Sequence, residues 1–232
     1  MAKGLNNNQL KLIALAAMTA DHVGMLLFPQ ITWLRLVGRL AFPVFAYMIA
    51  EGCRYTKIMP RYLGTLIGVA VLCQLAYFFA MGSLYQCIMV TFSLSVGLIF
   101  LIRKGQETKN VLWWIAAAVG VTGAYFLAEI LPGFLPGTDY GIDYGFWGIM
   151  LPVAVYVCPK KWIKLVATAA VLSLISLESW EGQWMSLATV PLLAFYNGKR
   201  GKWKLKWLFY IYYPAHLVAL EGISWLLSAS GK

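Results

Sequence analysis

The sequence has few charged side chains and lacks any long polar segment. Only 12% of its 232 residues are Asp, Glu, Lys or Arg, 61% are hydrophobic, and the mean hydropathy is +0.71. Soluble domains have about 25% charged residues and about 45–50% apolar ones. The high hydrophobicity excludes a disordered chain. The longest polar stretch, residues 197–206, is too short for an added soluble domain, so residues 1–232 are predicted to form a single integral membrane domain.

Histidine and cysteine are also scarce, with two and four residues respectively. The cysteines form no C-x-x-C pair and lie in or beside apolar runs, which favours a role as small buried side chains over a zinc site or redox motif. The two histidines have no H-x-x-x-H spacing, so the sequence predicts no metal site.

Nine apolar segments follow one another along the chain. A membrane-spanning helix needs roughly 20 predominantly apolar residues. The segments are Leu10–Phe28, Leu36–Cys53, Tyr62–Met81, Tyr85–Ile102, Val111–Leu131, Tyr144–Cys158, Trp162–Leu177, Trp184–Tyr196 and Trp207–Ser228. The sixth and eighth are short for a full crossing and are predicted to be tilted or buried in the bundle. Gly64 and Gly68 form a G-x-x-x-G motif, which is typical of closely packed membrane helices.

The basic residues give these segments an orientation. If the N-terminus is cytoplasmic and the segments alternate, only Arg35, Arg39 and Lys232 of the 19 Lys and Arg residues fall on the outer side. The positive-inside rule predicts such a bias. The sequence therefore predicts an all-α bundle of about nine transmembrane helices, N-in and C-out. Topology then explains the net charge of +10, so we expect no nucleic-acid partner. A further possibility remains open, that Lys199–Lys206 also attracts an anionic cytosolic ligand such as a nucleotide phosphate.

Ionisable side chains inside membrane segments are costly and are therefore candidates for function. Here they are Asp21, His22, Arg39, Glu51, Glu129, His216 and Glu221. A rise of 1.5 Å per residue puts His22 roughly 18 Å into the first segment and His216 roughly 14 Å into the last. The two imidazoles are thus predicted at depths where they could meet, and imidazole suits general base catalysis. Tyr212 and Tyr213 lie one turn before His216 on its own helix face.

Asp21 is predicted to pair with Arg39. As sequence neighbours, Asp21 and His22 point about 100° apart on a helix, so the carboxylate is poorly placed to orient that imidazole. A pair with the Arg39 guanidinium satisfies both charges in an apolar environment. Two interpretations of this pair remain open: it serves a functional site, or it only pins two helices together.

Four motifs in this order resemble the TraX family of bacterial membrane proteins. They are L-K-L-I-A-L…T-A-D-H-V-G (Leu10–Gly24), L-R-L-V-G-R-L-A-F-P-V-F-A-Y-M-I-A-E-G (Leu34–Gly52), D-Y-G-F-W-G (Asp143–Gly148) and L-F-Y-I-Y-Y-P-A-H-L (Leu208–Leu217). The namesake acetylates the N-terminus of conjugative pilin. The family is similar to a wider group of multi-span acyltransferases that includes the lysosomal heparan glucosaminide N-acetyltransferase.

The resemblance implies an acetyltransferase of the bacterial cytoplasmic membrane that takes its acetyl group from cytosolic acetyl-CoA. The expected acceptor is an amine or hydroxyl on a pilin-like peptide, a small amine or a glycan. The matching motifs imply that the catalytic residues are Asp21, His22, Arg39 and His216. Asp143, from the D-Y-G element, is expected to reach the same site from the outer side. Acyl transfer needs a base and a group that stabilises the oxyanion. Either histidine is a candidate base, and the other histidine or Arg39 then stabilises the oxyanion.

The other candidate residues are assigned to binding. Candidates for binding the substrate are Asp143, Tyr144, Tyr213, Glu221 and Glu51, and candidates for binding the CoA phosphates are Lys199, Arg200 and Lys202. A second function remains open at this point. In it, the chain is a non-enzymatic carrier of small molecules or lipids that uses the same polar centre as a proton relay.

Overall fold

The structure is a computed structural model that describes residues 4–203 and 205–230. It is 79% helical, and β pairing among these residues is limited to two isolated bridges, Leu5–Tyr196 and Gln86–Ile142. The predicted all-α class is confirmed. Lys3, Lys204 and Lys232, on which part of the charge assignment rests, lie outside the described residues.

Several helices have the length and apolar character of membrane spans. Four stretches are long and apolar enough to cross a bilayer: Thr32–Tyr55, Met59–Phe79, Ile88–Thr108 and Val111–Phe134. The helix Gly145–Val157 is apolar but shorter. All nine predicted apolar segments contain helix, although the eighth is divided between the end of a 3₁₀-helix and a short α-helix, Thr189–Ala194. These apolar helices make the chain a helical membrane protein.

The chain forms two compact units, and it passes from one to the other within the helix Ala41–Tyr55 and again within the helix Lys161–Leu177. The first unit comprises residues 1–48 and 176–232. Its elements are α1 (Asn7–Leu26), α2 (Thr32–Gly38), the first part of α3 (Ala41–Tyr55), a 3₁₀-helix (Glu181–Ala188), α10 (Thr189–Ala194) and α11 (Lys206–Ser230). The two histidines both belong to this unit, on α1 and α11 respectively.

The start of α1 is fixed by its own cap and by the loop that follows α10. Asn6 Oδ1 accepts from the Gln9 backbone N–H at 3.1 Å, while Gln9 Oε1 accepts from the Asn6 backbone N–H at 2.9 Å, which completes a capping box. The backbone N–H of Leu5 donates to the Phe195 carbonyl at 2.8 Å, and that of Asn7 donates to the Lys199 carbonyl at 2.8 Å. The loop after α10 therefore lies against the N-terminal end of α1.

Two glycines allow α1 and α2 to approach closely. A Cβ on Gly38 would lie 2.3 Å from the Asp21 Cβ, and a Cβ on Gly24 would lie 2.8 Å from the Leu34 Cβ. Because real Cβ atoms do not approach so closely, any larger residue at Gly38 must push α2 away from α1. This close approach brings the side chains of α2 to the Asp21 carboxylate.

The second unit, residues 49–175, contains the remaining helices. They are the rest of α3, α4 (Met59–Met81), α5 (Ile88–Thr108), α6 (Val111–Tyr125), a π-helical turn (Phe126–Ile130), α7 (Leu131–Phe134), α8 (Gly145–Val157) and most of α9 (Lys161–Leu177). Gly82, with φ of 63°, ends α4 in the left-handed conformation that glycine adopts readily. A Cβ added to Gly64 or to Gly68 would meet no atom within 4 Å, so the packing predicted from their spacing is not found within the described residues.

Two carboxylates of the second unit have polar partners in that unit. Glu51 is 4% exposed and forms an ion pair with Lys164, which is also buried. Glu129, in the π-helical turn, accepts a hydrogen bond from the backbone N–H of Phe146 at 2.8 Å and so caps the first turn of α8. Two of the ionisable residues expected within the membrane thus have structural partners.

Candidate functional site

A cluster of three charged side chains joins α1 to α2 in the first unit. Asp21 Oδ1 accepts from Arg39 Nη2 at 2.5 Å, and Asp21 Oδ2 lies 3.1 Å from Arg35 Nη1. The predicted Asp21–Arg39 pair is confirmed. The Arg39 and Asp21 side chains are only 10% and 16% exposed, so water screens the pair weakly.

The cluster carries one more positive than negative charge. One carboxylate lies between two guanidinium groups, on the residue adjacent in sequence to His22. Arg39 also donates to the side-chain oxygen of Gln183, on the 3₁₀-helix, at 3.3 Å. An excess positive charge held in a partly buried position can stabilise an oxyanion formed beside it.

The two histidines of the sequence contact each other. The ring centroids of His22 and His216 are 4.9 Å apart, with the rings nearly perpendicular at 82°, and His216 Nε2 lies 3.4 Å from His22 Nδ1. The contact agrees with the predicted depths of the two imidazoles, at which they could meet. The sequence separates the two residues by 194 positions.

The backbone determines which ring nitrogens carry protons. His22 Nδ1 lies 2.9 Å from the Met18 carbonyl oxygen, and His216 Nδ1 lies 2.9 Å from the Tyr212 carbonyl oxygen. Because a carbonyl oxygen only accepts, we assign the proton of each neutral ring to Nδ1, which leaves a lone pair on each Nε2. The lone pair of His216 Nε2 faces the Nδ1–H of His22. The Nε2 of His22 has no hydrogen-bond partner among the residues that the structure describes.

Two tyrosines support His216 on α11. The Tyr212 ring stacks on the His216 ring, with centroids 5.1 Å apart and planes 10° from parallel, and the Tyr213 ring lies 5.8 Å away. The Thr19 hydroxyl donates to the Leu15 carbonyl, so the Tyr212 hydroxyl donates to Thr19 Oγ1 at 2.7 Å. This bond ties α11 to α1 one turn away from His22.

Comparison with known proteins identifies the family of this chain. The sequence model of the family described as TraX protein matches residues 6–224, which include Asp21, His22, Arg39 and His216. The chain belongs to the TraX family. No solved structure matches it.

Curated relatives include fimbrial and TraX proteins. The chain is 26% identical to the probable fimbrial assembly protein FimC, serogroup H1, of Dichelobacter nodosus, over 91% of this chain and 93% of that protein. It is 30% identical to Protein TraX of Escherichia coli strain K12, over 72% of this chain and 62% of that protein. Another Escherichia coli Protein TraX is 27% identical, over 91% of this chain and 84% of that protein.

The structure brings four of the residues carried over from the TraX motifs into the first unit. Asp21 and Arg39 form an ion pair, His22 and His216 form a ring pair, and Tyr213 lies beside His216. Glu221 lies on the same helix five residues beyond His216, which turns it about 140° away around the axis.

The three basic candidates for phosphate binding lie at the other end of α1. Lys199, Arg200 and Lys202 are exposed in the loop between α10 and α11. The Lys199 carbonyl is held by the Asn7 backbone N–H, and Asn8 Nδ2 donates to the Trp203 carbonyl at 2.8 Å. Fourteen residues of α1 separate Asn7 from Asp21, a distance of roughly 21 Å at 1.5 Å per residue.

The remaining candidates lie in the second unit and make their contacts there. Glu51 pairs with Lys164, and Asp143 Oδ1 accepts from the Tyr85 hydroxyl at 3.0 Å. Tyr144 has a φ of 60°, a left-handed conformation that is unusual for a bulky residue. The D-Y-G element of the TraX motif therefore forms the turn that leads into α8.

Sequence reasoning missed Arg35, Gln183 and Thr19 as members of the site. Arg35 lies four residues before Arg39 and hence on the same helix face, which was the available signal for a second partner of Asp21. Gln183 and Thr19 are uncharged and carried no comparable signal. Among residues 4–203 and 205–230, no group of three or more His, Cys, Asp or Glu side chains is placed to hold a metal ion.

Proposed function

We propose that this member of the TraX family is a membrane-embedded acetyltransferase that moves an acetyl group from acetyl-CoA to an amine or hydroxyl acceptor. The observation that carries the proposal is the unpartnered Nε2 of His22, held beside a cluster with excess positive charge. A base and a positive charge are the two groups that acyl transfer from a thioester needs. The fimbrial name of one relative favours a pilin-like peptide as the acceptor.

His22 acts as the base in this mechanism, and His216 positions it. The acceptor nitrogen or oxygen attacks the thioester carbonyl while His22 Nε2 takes the acceptor's proton. The oxyanion forms near Arg39 and Arg35, then collapses as the carbon–sulfur bond breaks, and the proton on His22 passes to the CoA thiolate. The Nδ1–H of the His22 ring donates to the Met18 carbonyl and faces His216 Nε2, so the ring keeps its orientation while Nε2 takes the proton.

The proposed topology has nine crossings, with the N-terminus inside and the C-terminus outside, in the cytoplasmic membrane of a bacterium, and residues 1–232 act as one domain. Two of the three basic residues that depart from the positive-inside pattern, Arg35 and Arg39, are ion-pair partners of Asp21. Their position therefore has a cause other than topology. Lys199, Arg200 and Lys202 then lie on the cytosolic side, where they bind the CoA phosphates.

Substitution of the two histidines tests the proposed chemistry. Full-length protein, purified in detergent, is given radiolabelled acetyl-CoA and a set of acceptors: a pilin-like N-terminal peptide, a primary amine and an amino sugar. We expect His22→Ala to lower kcat about 100- to 10,000-fold, because it removes the base. We expect His216→Ala to lower kcat about tenfold, because Met18 still accepts from His22 Nδ1–H. His216→Gln should recover part of that loss, since its amide oxygen also accepts.

Two results would contradict the proposal. If His22→Ala transfers acetyl groups at the wild-type rate, His22 is not the base. If the wild-type protein binds no acetyl-CoA and acetylates none of the acceptors, the alternative of a non-enzymatic small-molecule or lipid carrier takes its place. Uptake into proteoliposomes then provides the assay for that alternative.

A further inference from the structure

Three buried polar atoms of the first unit lack a hydrogen-bond partner among the described residues. They are Gln183 Nε2, Ser186 Oγ and Thr189 Oγ1. The three residues are 2%, 0% and 0% exposed. Buried polar groups are nearly always hydrogen-bonded, and leaving one unmet is unfavourable. Three of them within seven residues indicate a polar partner outside the described residues, and a bound ligand would be such a partner.

Gln183 and Ser186 lie on the 3₁₀-helix, and Thr189 is the residue that directly follows it, the first of α10, so the three side chains are spaced three residues apart on one face. A 3₁₀-helix has three residues per turn, so residues three apart lie directly above one another, with a spacing of about 6 Å. The run Glu181–Ala188 has eight residues, whereas 3₁₀ runs longer than three or four are uncommon. Elsewhere, by contrast, buried hydroxyls donate to a carbonyl, as Thr168 does to Lys164 and Thr91 does to Asp143. The hydroxyls of Ser186 and Thr189 have no such partner among the described residues. We call Gln183, Ser186 and Thr189 the polar row.

One end of the polar row contacts the charged cluster, and the chain beyond its other end leads through α10 to the loop that contains Lys199, Arg200 and Lys202. At one end, the oxygen of Gln183 accepts from Arg39, the partner of Asp21. At the other end, the chain beyond α10 is tied to the start of α1, where the Asn197 backbone N–H donates to the Leu5 carbonyl at 2.9 Å. The basic loop, which contains Lys199, Arg200 and Lys202, follows directly after Asn197. The row therefore runs from the charged cluster toward Lys199, Arg200 and Lys202.

We propose that the polar row binds the two amides of the pantetheine arm of acetyl-CoA, an inference that rests on the proposed function. The pantetheine arm is a flexible chain with two secondary amides between its thioester and its phosphates. Gln183 Nε2 donates to an amide carbonyl, and the hydroxyls of Ser186 and Thr189 both donate and accept, so they match either group of an amide. With the amides along the row, the thioester lies at the histidine end and the phosphates lie at the basic loop.

The test compares a ligand that has the arm with one that lacks it. Binding of acetyl-CoA and of adenosine 3′,5′-diphosphate is measured on the purified full-length protein. We expect Ser186→Ala and Thr189→Val to weaken acetyl-CoA binding by about three- to tenfold each, the effect of one lost neutral hydrogen bond. Binding of adenosine 3′,5′-diphosphate, which has no arm, should not change.

The stability of the unliganded variants gives a second readout. Each substitution removes a polar group that has no partner among the described residues, so Ser186→Ala and Thr189→Val should unfold thermally at the wild-type temperature or above it. Thr168→Val is the matched control, because its hydroxyl is equally buried but donates to the Lys164 carbonyl at 2.7 Å. That variant should bind acetyl-CoA as the wild type does. Thr189→Ser, which keeps a hydroxyl, should retain most of the affinity.

The outcomes separate this inference from the proposed function. Wild-type binding of acetyl-CoA by Ser186→Ala and Thr189→Val overturns the polar row and leaves the acetyltransferase standing, with ordered water as the row's partner. Equal weakening of both ligands, or a clear loss of stability in the unliganded variants, also overturns the row. If the wild-type protein binds no acetyl-CoA, both proposals fail.

Discussion

One carboxylate between two guanidinium groups is the most consequential arrangement at the scale of single residues. Asp21 neutralises one of its partners, Arg35 or Arg39, and leaves the other charge uncompensated beside His22. The Asp21–Arg39 pair could be predicted because charges within apolar segments are few and need partners. The Gln183 contact could not, since an uncharged amide gives no such constraint on its neighbours.

Asp21→Asn should both destabilise the first unit and impair acetyl transfer. It leaves two largely buried guanidinium groups without a counter-charge, which should cost about 2–3 kcal/mol, somewhat less than for a fully buried pair. Thermal unfolding in detergent and the transfer assay measure the two effects. Glu107→Gln is the matched control, because Glu107 also pairs with two basic residues, Arg103 and Lys104, but is 46% exposed. An exposed pair contributes about 0–1 kcal/mol. Equal effects of the two substitutions would contradict this interpretation.

At the scale of elements, helix positions were predictable, but helix contacts and helix type were not. Apolar runs of sufficient length predict where α4, α5, α6 and α9 lie, because a membrane helix must be apolar along its length. The G-x-x-x-G spacing predicted close helix packing at Gly64 and Gly68 on α4, but a close approach is found at Gly38 on α2 instead. Which glycine faces a neighbouring backbone depends on the rotation of each helix, and a two-residue motif does not specify it.

Gly38→Ala should separate α2 from α1. The added methyl group would meet the Asp21 Cβ at 2.3 Å, and such overpacking costs about 1–3 kcal/mol. Because α2 carries Arg35 and Arg39, we expect acetyl transfer to fall as well. Gly68→Ala in α4 is the control: no atom lies within 4 Å of its added methyl group, and alanine favours a helix over glycine by about 1 kcal/mol. An unchanged unfolding temperature and unchanged activity in Gly38→Ala would contradict the close approach.

At the scale of the whole molecule, charge bias predicts sidedness, whereas the grouping of helices into units was not predictable. Hydropathy treats each segment independently, so it does not reveal that residues 1–48 pack with residues 176–232. The only hint of this pairing was the similar depth of the two histidines. A polar residue within an apolar segment thus gave more information about tertiary contacts than the surrounding apolar residues did.

Accessibility of two loop threonines tests the proposed topology. In a background whose native cysteines are replaced, Thr138→Cys lies in a loop assigned to the outer side, and Thr108→Cys lies at an end of α5 assigned to the inner side. Both threonines are exposed, and each hydroxyl donates to a nearby carbonyl, so the two changes are matched. A membrane-impermeant maleimide should label Thr138→Cys in intact cells, and Thr108→Cys only after permeabilisation. Labelling of Thr108→Cys alone in intact cells would reverse the orientation.

The distance along the chain between His22 and His216 has a consequence for biosynthesis. A ribosome adds about 5–20 residues per second, so the 194 positions between the two histidines take roughly 10–40 s to translate. During that interval α1 is already made, while α11, which supplies the acceptor for His22 Nδ1–H and the hydroxyl partner of Thr19, has not yet been synthesised. The nascent chain therefore holds His22 without the residues that orient it, and the proposed acetyl-transfer centre is assembled only after α11 has been synthesised.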